Sequence, residues 1–203
     1  LVRKEGEAPR YMAIVRDIAE RKQNELAMNR LSRVYRLLSQ VNEAIVRVQN
    51  RNELFAAVCS AAAGSGLFRL AWIGILDKKE SLVLPVAHAG VEEGYLDKLN
   101  IQLDDEHAGN GPTGKAVREG VHVISADIEH DSCMLPWRDE ALKRGYRASA
   151  AFPIRQANCV VGAINVYATE VHFFTPDIVK LMLELAEDIS FSLDVFAGKK
   201  RRK

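Results

Sequence analysis

The chain is organised around residues 147–168, RASAAFPIRQANCVVGAINVYA, two apolar runs separated by the short polar break Arg155-Gln156-Ala157-Asn158. Both runs are short, rich in small and β-branched residues and free of helical spacing, which predicts two central strands of an antiparallel sheet. The break holds neither Asn-Gly nor Asp-Gly, so the turn type stays open. Side chains alternate along an extended chain, so Val160, Gly162, Ile164 and Val166 share one face and Val161, Ala163, Asn165 and Tyr167 the other. The first face is wholly apolar and the second partly polar. That division predicts helices packed on the first and a roofed cavity over the second, which suits a small-molecule sensor better than a catalyst.

Upstream, Leu31, Val34, Leu38, Val41, Ile45 and Val48 recur at alternating steps of three and four, a heptad stripe on a helix running from about residue 19 to 48. The stripe suits a parallel dimer, with residues 27–38 pairing, and it also suits packing on the chain's own sheet, with residues 41–58 as cover. Residues 11–15, YMAIV, read as a brief strand. Residues 52–63 read as a second helix with Asn52 as N-cap, Gly64 past its end and Cys59 on its buried side. LAWIGIL at 70–76 and SLVLPVAHA at 81–89 read as strands joined by a polar turn, and Pro85 predicts an edge position or a bulge. In the first of them Trp72 and Gly74 oppose Ala71, Ile73 and Ile75. A short helix at 92–99, a short strand at 100–103 and another at 121–125 follow. The segment 126–145, a loop and then a helix from Pro136, reads as the lid of the cavity. Thr175-Pro176 opens the last helix, whose stripe is Ile178, Met182, Leu185, Ile189, Leu193 and Phe196.

Composition narrows the function. At 203 residues and 48% hydrophobic, the chain has length for one sizeable core plus extensions. Its last five residues contribute +5 to a formal net charge of +1, leaving −4 for the rest, which argues against a nucleic-acid surface and makes the basic run a solvated tail or linker. Cys59, Cys133 and Cys159 form no CxxC, so neither a disulfide framework nor a zinc site is indicated and a reducing cytoplasm fits. No apolar run has membrane-spanning length and the opening is not a signal peptide. Gly111-Pro112-Thr113-Gly114-Lys115 suggests a phosphate loop, but Ala116 stands where Ser or Thr would hold magnesium; a helix opened by Pro112 and closed by Gly120 accounts for the same residues.

The opening YMAIVRDIAERKQNE resembles the last strand and exit helix of a PAS domain, with Ala19 where that pattern has threonine. The blocks GPTGKAVREG, VHVISADI, PWRDEALKRGYRASAAFPI, VVGAINVYA and FFTPDIVKLMLELAEDISFSLD, in that order, resemble a bacterial GAF domain. The resemblance implies an α+β fold: a central antiparallel sheet with the N- and C-terminal helices on one face and a loop- and helix-capped pocket on the other. It divides the chain into a PAS tail (1–18), a connecting heptad helix (19–48) overlapping the first GAF helix, the GAF domain (31–194) and a basic linker or tail (195–203). It further implies a cytoplasmic bacterial signal-transduction protein in which a sensory module, not itself an enzyme, dimerises and controls an output domain such as a GGDEF diguanylate cyclase, an EAL phosphodiesterase or a histidine kinase. No nucleic acid or membrane insertion is implied.

Within that family the ligand varies. A bilin needs a Cys-His pair, and Met134 follows Cys133, with His130 three residues before it; haem needs an axial histidine, for which His107, His122 and His130 are candidates by position alone. Neither cofactor is expected, and the ligand is unknown. Some GAF proteins reduce free methionine sulfoxide with paired cysteines; Cys133 is the candidate nucleophile, whereas Cys159 starts a strand and Cys59 lies on a buried helix face. The candidate ligand-binding set is Trp72, Trp137, Arg138, Tyr146, Ser149, Asn165 and Tyr167, with Arg138 and Arg147 able to attract an anion. The same aromatic side chains could instead plug the cavity and leave a ligand-free dimerisation spacer.

Overall fold

The computed structural model describes residues 10–105 and 108–200. Five antiparallel strands form one sheet in the order β2-β1-β5-β4-β3, with β1 at Leu70–Asp77, β2 at Leu82–Gly90, β3 at Val123–Ser125, β4 at Ala148–Gln156 and β5 at Cys159–Ala168. The hairpin β4–β5 and the strand β1 fill its centre because these runs are apolar on at least one face throughout. Pro85 stands on the edge strand β2, beside a bulge between Ile73 and Gly74 of β1, so both roles allowed to it are realised.

One face is covered by α1 (Arg10–Arg47), α2 (Arg51–Gly64) and α5 (Pro176–Lys200). Val34, Leu37, Leu38 and Val41 of α1, Val58 and Cys59 of α2, and Met182, Leu185 and Ile189 of α5 pack with Ile73, Phe152, Ile164 and Val166 in a single cluster. The final-helix stripe is therefore as predicted. The heptad stripe is spent within the chain: Val34, Leu38 and Val41 are buried in this core and Leu31 and Ile45 pack on its border. A helix beside its own sheet buries the same a/d positions that a second helix would cover.

Several boundaries differ from expectation. Residues 11–15 continue α1 rather than forming a strand; with no strand beside them among the described residues to complete a ladder, the backbone pairs within a helix. The N-cap of α2 is Asn50, not Asn52, because the Asn50 side chain accepts the N–H groups of both Asn52 and Glu53. The expected helix at 92–99 is only a 3-10 turn, Leu96–Lys98, and the strand at 100–103 only a single bridge from Gln102 to Leu82. The helix after Pro136 is α4, Arg138–Lys143, preceded by a 3-10 turn at Ser132–Met134. The helix α3, Pro112–Glu119, begins at its proline and ends at Gly120 in the left-handed region, as predicted.

The alternation of β5 holds from Gly162 to Tyr167 and fails before it. Val161 packs with the helical face and Val160 with the opposite one, the reverse of the expected assignment. The cause is a register shift between Ile154 and Arg155, where Arg155 pairs with Val160 although Ile154 pairs with Gly162; one extra residue exchanges the two faces. The turn beyond it, Ala157-Asn158, carries positive φ at both residues, as a tight primed hairpin turn requires.

Candidate functional site

The second face of the sheet presents Trp72 from β1 and Ala163 and Tyr167 from β5, roofed by Tyr95, Ile101, α3, Met134, Trp137 and Tyr146. Three tyrosines meet there. The rings of Tyr146 and Tyr167 lie 4.8 Å apart, Tyr95 stands edge-on to Tyr146 at 5.3 Å and to Tyr167 at 5.5 Å, and the Tyr95 hydroxyl reaches that of Tyr167 at 3.4 Å. The Tyr146 hydroxyl donates to the Val91 carbonyl. Burial pushes the phenols of Tyr95, Tyr146 and Tyr167 up, so all three act as neutral donors and acceptors. The Trp72 indole lies beside the Tyr167 hydroxyl, yet its N–H completes no hydrogen bond.

Arg144 locks one wall. Its guanidinium donates to the carbonyls of Glu92, Glu93 and Glu140 and to the Glu140 carboxylate, and it lies over the Tyr95 ring. Hydrogen bonds from Arg144, then Lys143 and Lys98, hold the Glu140 carboxyl far below the usual carboxylate range. The tyrosines are thus fixed by a charged clamp at the rim.

At the mouth, Leu99, Ile101, the first turn of α3, Met134, Trp137 and Tyr167 surround a cavity of about 10 Å3, space for a single water. A Cβ at Gly111 would overlap the Trp137 ring, so glycine there lets the indole lie against the start of α3. Thr113 Oγ1 donates to Asn165 Oδ1 at 2.8 Å, and Asn165 Nδ2 donates to the Ala163 carbonyl.

Of the predicted ligand set, Tyr167 and Trp137 line this cavity; Trp72 and Tyr146 belong to its aromatic wall, and Asn165 reaches it through Thr113. Ser149 is buried with its hydroxyl 4.0 Å from the Met134 sulfur. The two arginines are turned elsewhere: Arg138 donates to the Asp131 carbonyl and Arg147 pairs with Glu129. Sequence reasoning missed Tyr95 and Thr113. Tyr95 lies in the segment 92–99 expected as a short helix, and Thr113 in the one compared with a phosphate loop. His107 lies outside the described residues.

The thiols are distributed over the fold. Lys115 Nζ, on α3, lies 3.1 Å from Cys133 Sγ, next to Gly114 and Met134 of the cavity wall. Cys59 is buried among the helices on the other side of the sheet, and Cys159 is exposed at the start of β5.

Known structures with this fold are numerous. The GAF domain of a phosphoenolpyruvate-protein phosphotransferase from Coxiella burnetii is 16% identical over 84% of this chain and 98% of its own, with a TM-score of 0.69. The free methionine-R-sulfoxide reductase of Neisseria meningitidis, solved with its substrate, is 14% identical over 82% of this chain and 91% of its own, at 0.67. A domain of a putative two-component sensor histidine kinase from Sinorhizobium meliloti 1021 is 17% identical over 76% and 98%, at 0.60. No curated protein sequence matches the chain. The reductase among these neighbours overturns the expectation of a module that is not an enzyme: this fold carries catalysts as well as signalling domains, and at such identities the likeness extends to the fold alone. The family itself is settled by sequence, since the GAF domain model matches residues 48–194, the span that contains the sheet, the tyrosine chamber and its lid. The chain belongs to the GAF domain family.

Proposed function

We propose that this GAF domain is a sensory module that binds a small molecule in the tyrosine chamber and passes the change to a downstream output domain through α5. The observation that carries the reading is the convergence of Tyr95, Tyr146, Tyr167, Trp137 and the Thr113–Asn165 pair on one site: an aromatic wall with a few polar groups suits a small ligand. At about 10 Å3 the cavity is too small to hold such a ligand as it stands. Binding then selects an opened state in which Trp137 and the lid swing away from α3, and the ligand's differential affinity for that state supplies the signal. In this reading a cytoplasmic homodimer forms through the terminal helices. Since the heptad stripe is occupied, the contact uses the exposed Met28 and Tyr35 of α1 and Phe191 of α5. A PAS domain upstream and a GGDEF-type output downstream complete the scheme. Native mass spectrometry of the purified chain reports bound small molecules and subunit number together; a ligand-free monomer would sink both parts.

A second reading has the Lys115–Cys133 contact in its favour. Here the Cys133 thiolate attacks the sulfur of a sulfoxide held in the chamber, as in a free methionine sulfoxide reductase. The oxygen leaves with Cys133 as a sulfenic acid, methionine is released, and an external thiol reduces the sulfenic acid with loss of water. Reduction of free methionine-R-sulfoxide that disappears in Cys133→Ser supports it, and activity intact in that variant removes it.

A further inference from the structure

The helical face holds a second cavity, separate from the tyrosine chamber and larger, at about 160 Å3. It opens between the start of α2 and the later part of α5, at the end of the sheet where β1 finishes and β5 begins. Its walls include Phe55, Ile75, Val161 and Leu193, and Arg51 and Lys78 stand at its rim. Val161 reaches this wall because of the bulge that exchanges the faces of β5.

Two cationic side chains at the rim are unpaired. Neither Arg51 nor Lys78 makes an ion pair or side-chain hydrogen bond among the described residues. Three carboxylates close to the cavity have other partners: Glu53 accepts from Gln49 N and Asn50 Nδ2, Asp77 from Lys79 N, and Asp194 from Ala157 N. Arg51 is also the first residue of α2, where the helix dipole disfavours a cation, so helix stability does not account for it. An apolar hollow with two free cations at one edge is complementary to a molecule with a hydrophobic body and one anionic end.

Volume sets the size. An apolar cavity of about 150 Å3 accommodates benzene. We infer that this cavity is a binding site for an aromatic monocarboxylate of benzoate size, its ring against Phe55, Ile75, Val161 and Leu193 and its carboxylate between Arg51 and Lys78. The inference stands independently of the chamber's ligand.

Benzoate itself is the probe, titrated into the 13C-methyl-labelled 203-residue chain. Saturable shifts are expected at the Ile75, Val161 and Leu193 methyls with the Trp137 indole unmoved. Because Arg51 and Lys78 are exposed, Arg51→Gln/Lys78→Gln keeps the fold, checked by an unchanged melting temperature, and loses about tenfold or more in affinity for lack of two charge-assisted hydrogen bonds. Benzyl alcohol, which keeps the ring and lacks the charge, binds no better than benzoate does to the double variant. Shifts centred on Trp137, equal binding of benzyl alcohol, or no saturable binding would each overturn the assignment. The first of these would point to the tyrosine chamber instead, so the two sites are told apart by the same spectrum.

Discussion

The two faces of the sheet are buried to the same degree and built on opposite chemistry. Against the helices lie Ile73, Phe152, Ile164 and Val166, all fully buried and without a polar atom in their side chains. Under the lid lie Trp72, Tyr95, Tyr146, Tyr167 and Asn165, at most 5% exposed, every one carrying a donor or acceptor that must be aimed. Apolar packing is non-directional and tolerates repacking, whereas a buried hydroxyl or amide specifies one neighbour and one orientation. The helical face accordingly holds the larger apolar core, and the lid face holds the groups whose rearrangement a ligand could drive.

The sharpest contrast between the faces is in their thiols. Burial pushes the Cys59 thiol up to about 12, against a weak opposing hydrogen bond from the backbone of Ile73. At pH 8 that leaves a thiolate fraction of roughly 10⁻⁴, and the thiolate is the reactive form. Iodoacetamide at pH 8 should therefore label the exposed Cys159 and the half-buried Cys133 of the native chain well before Cys59, read by peptide mass spectrometry. Labelling of Cys59 at a comparable rate would mean that the helical face opens as readily as the lid.

Truncating each face tests where stability resides. Phe152→Ala removes a ring fully buried on the helical side and should cost about 3–5 kcal/mol in urea unfolding. Arg144→Met removes the clamp and leaves the Glu92 and Glu93 carbonyls short of a donor, for a smaller loss of about 1–3 kcal/mol. It also changes the acid limb. The Glu140 carboxyl is depressed in the folded chain, so its contribution is present above the unfolded value near ~4.3 and is lost as pH falls through the lower folded value. Without Arg144, its leading partner, that shift shrinks and stability should fall less steeply with acid. An unchanged acid limb would assign the depression to Lys143 and Lys98 alone.

How far this division could be read in advance depends on the kind of interaction. Alternation placed Trp72, Asn165 and Tyr167 together opposite Ile73, Ile164 and Val166, because a period of two follows from the backbone alone. It misplaced Val160 and Val161, since a bulge is a property of two paired strands and neither strand reveals it singly. The tyrosine triad was two-thirds visible; Tyr95 arrives from a loop fastened by Arg144 to segments about fifty residues away, a long-range contact with no local signature. For the same reason the heptad stripe was legible as apolar spacing and silent about its partner, which is the chain's own core.

The smallest change probes the polar side most directly. Tyr167→Phe keeps the ring against Tyr146 and Tyr95 and deletes only the hydroxyl, which meets Tyr95 at a long 3.4 Å and lies beside an indole N–H that completes no bond. A well-made buried hydrogen bond contributes about 1 kcal/mol, and one this long contributes less, so urea unfolding should shift by about 0.5 kcal/mol or below. Losing a weakly held polar group should leave the chamber equally packed and less specific. A loss as large as that of Phe152→Ala would mean that the hydroxyl anchors the lid, and that the lid face, too, is built for stability rather than for response.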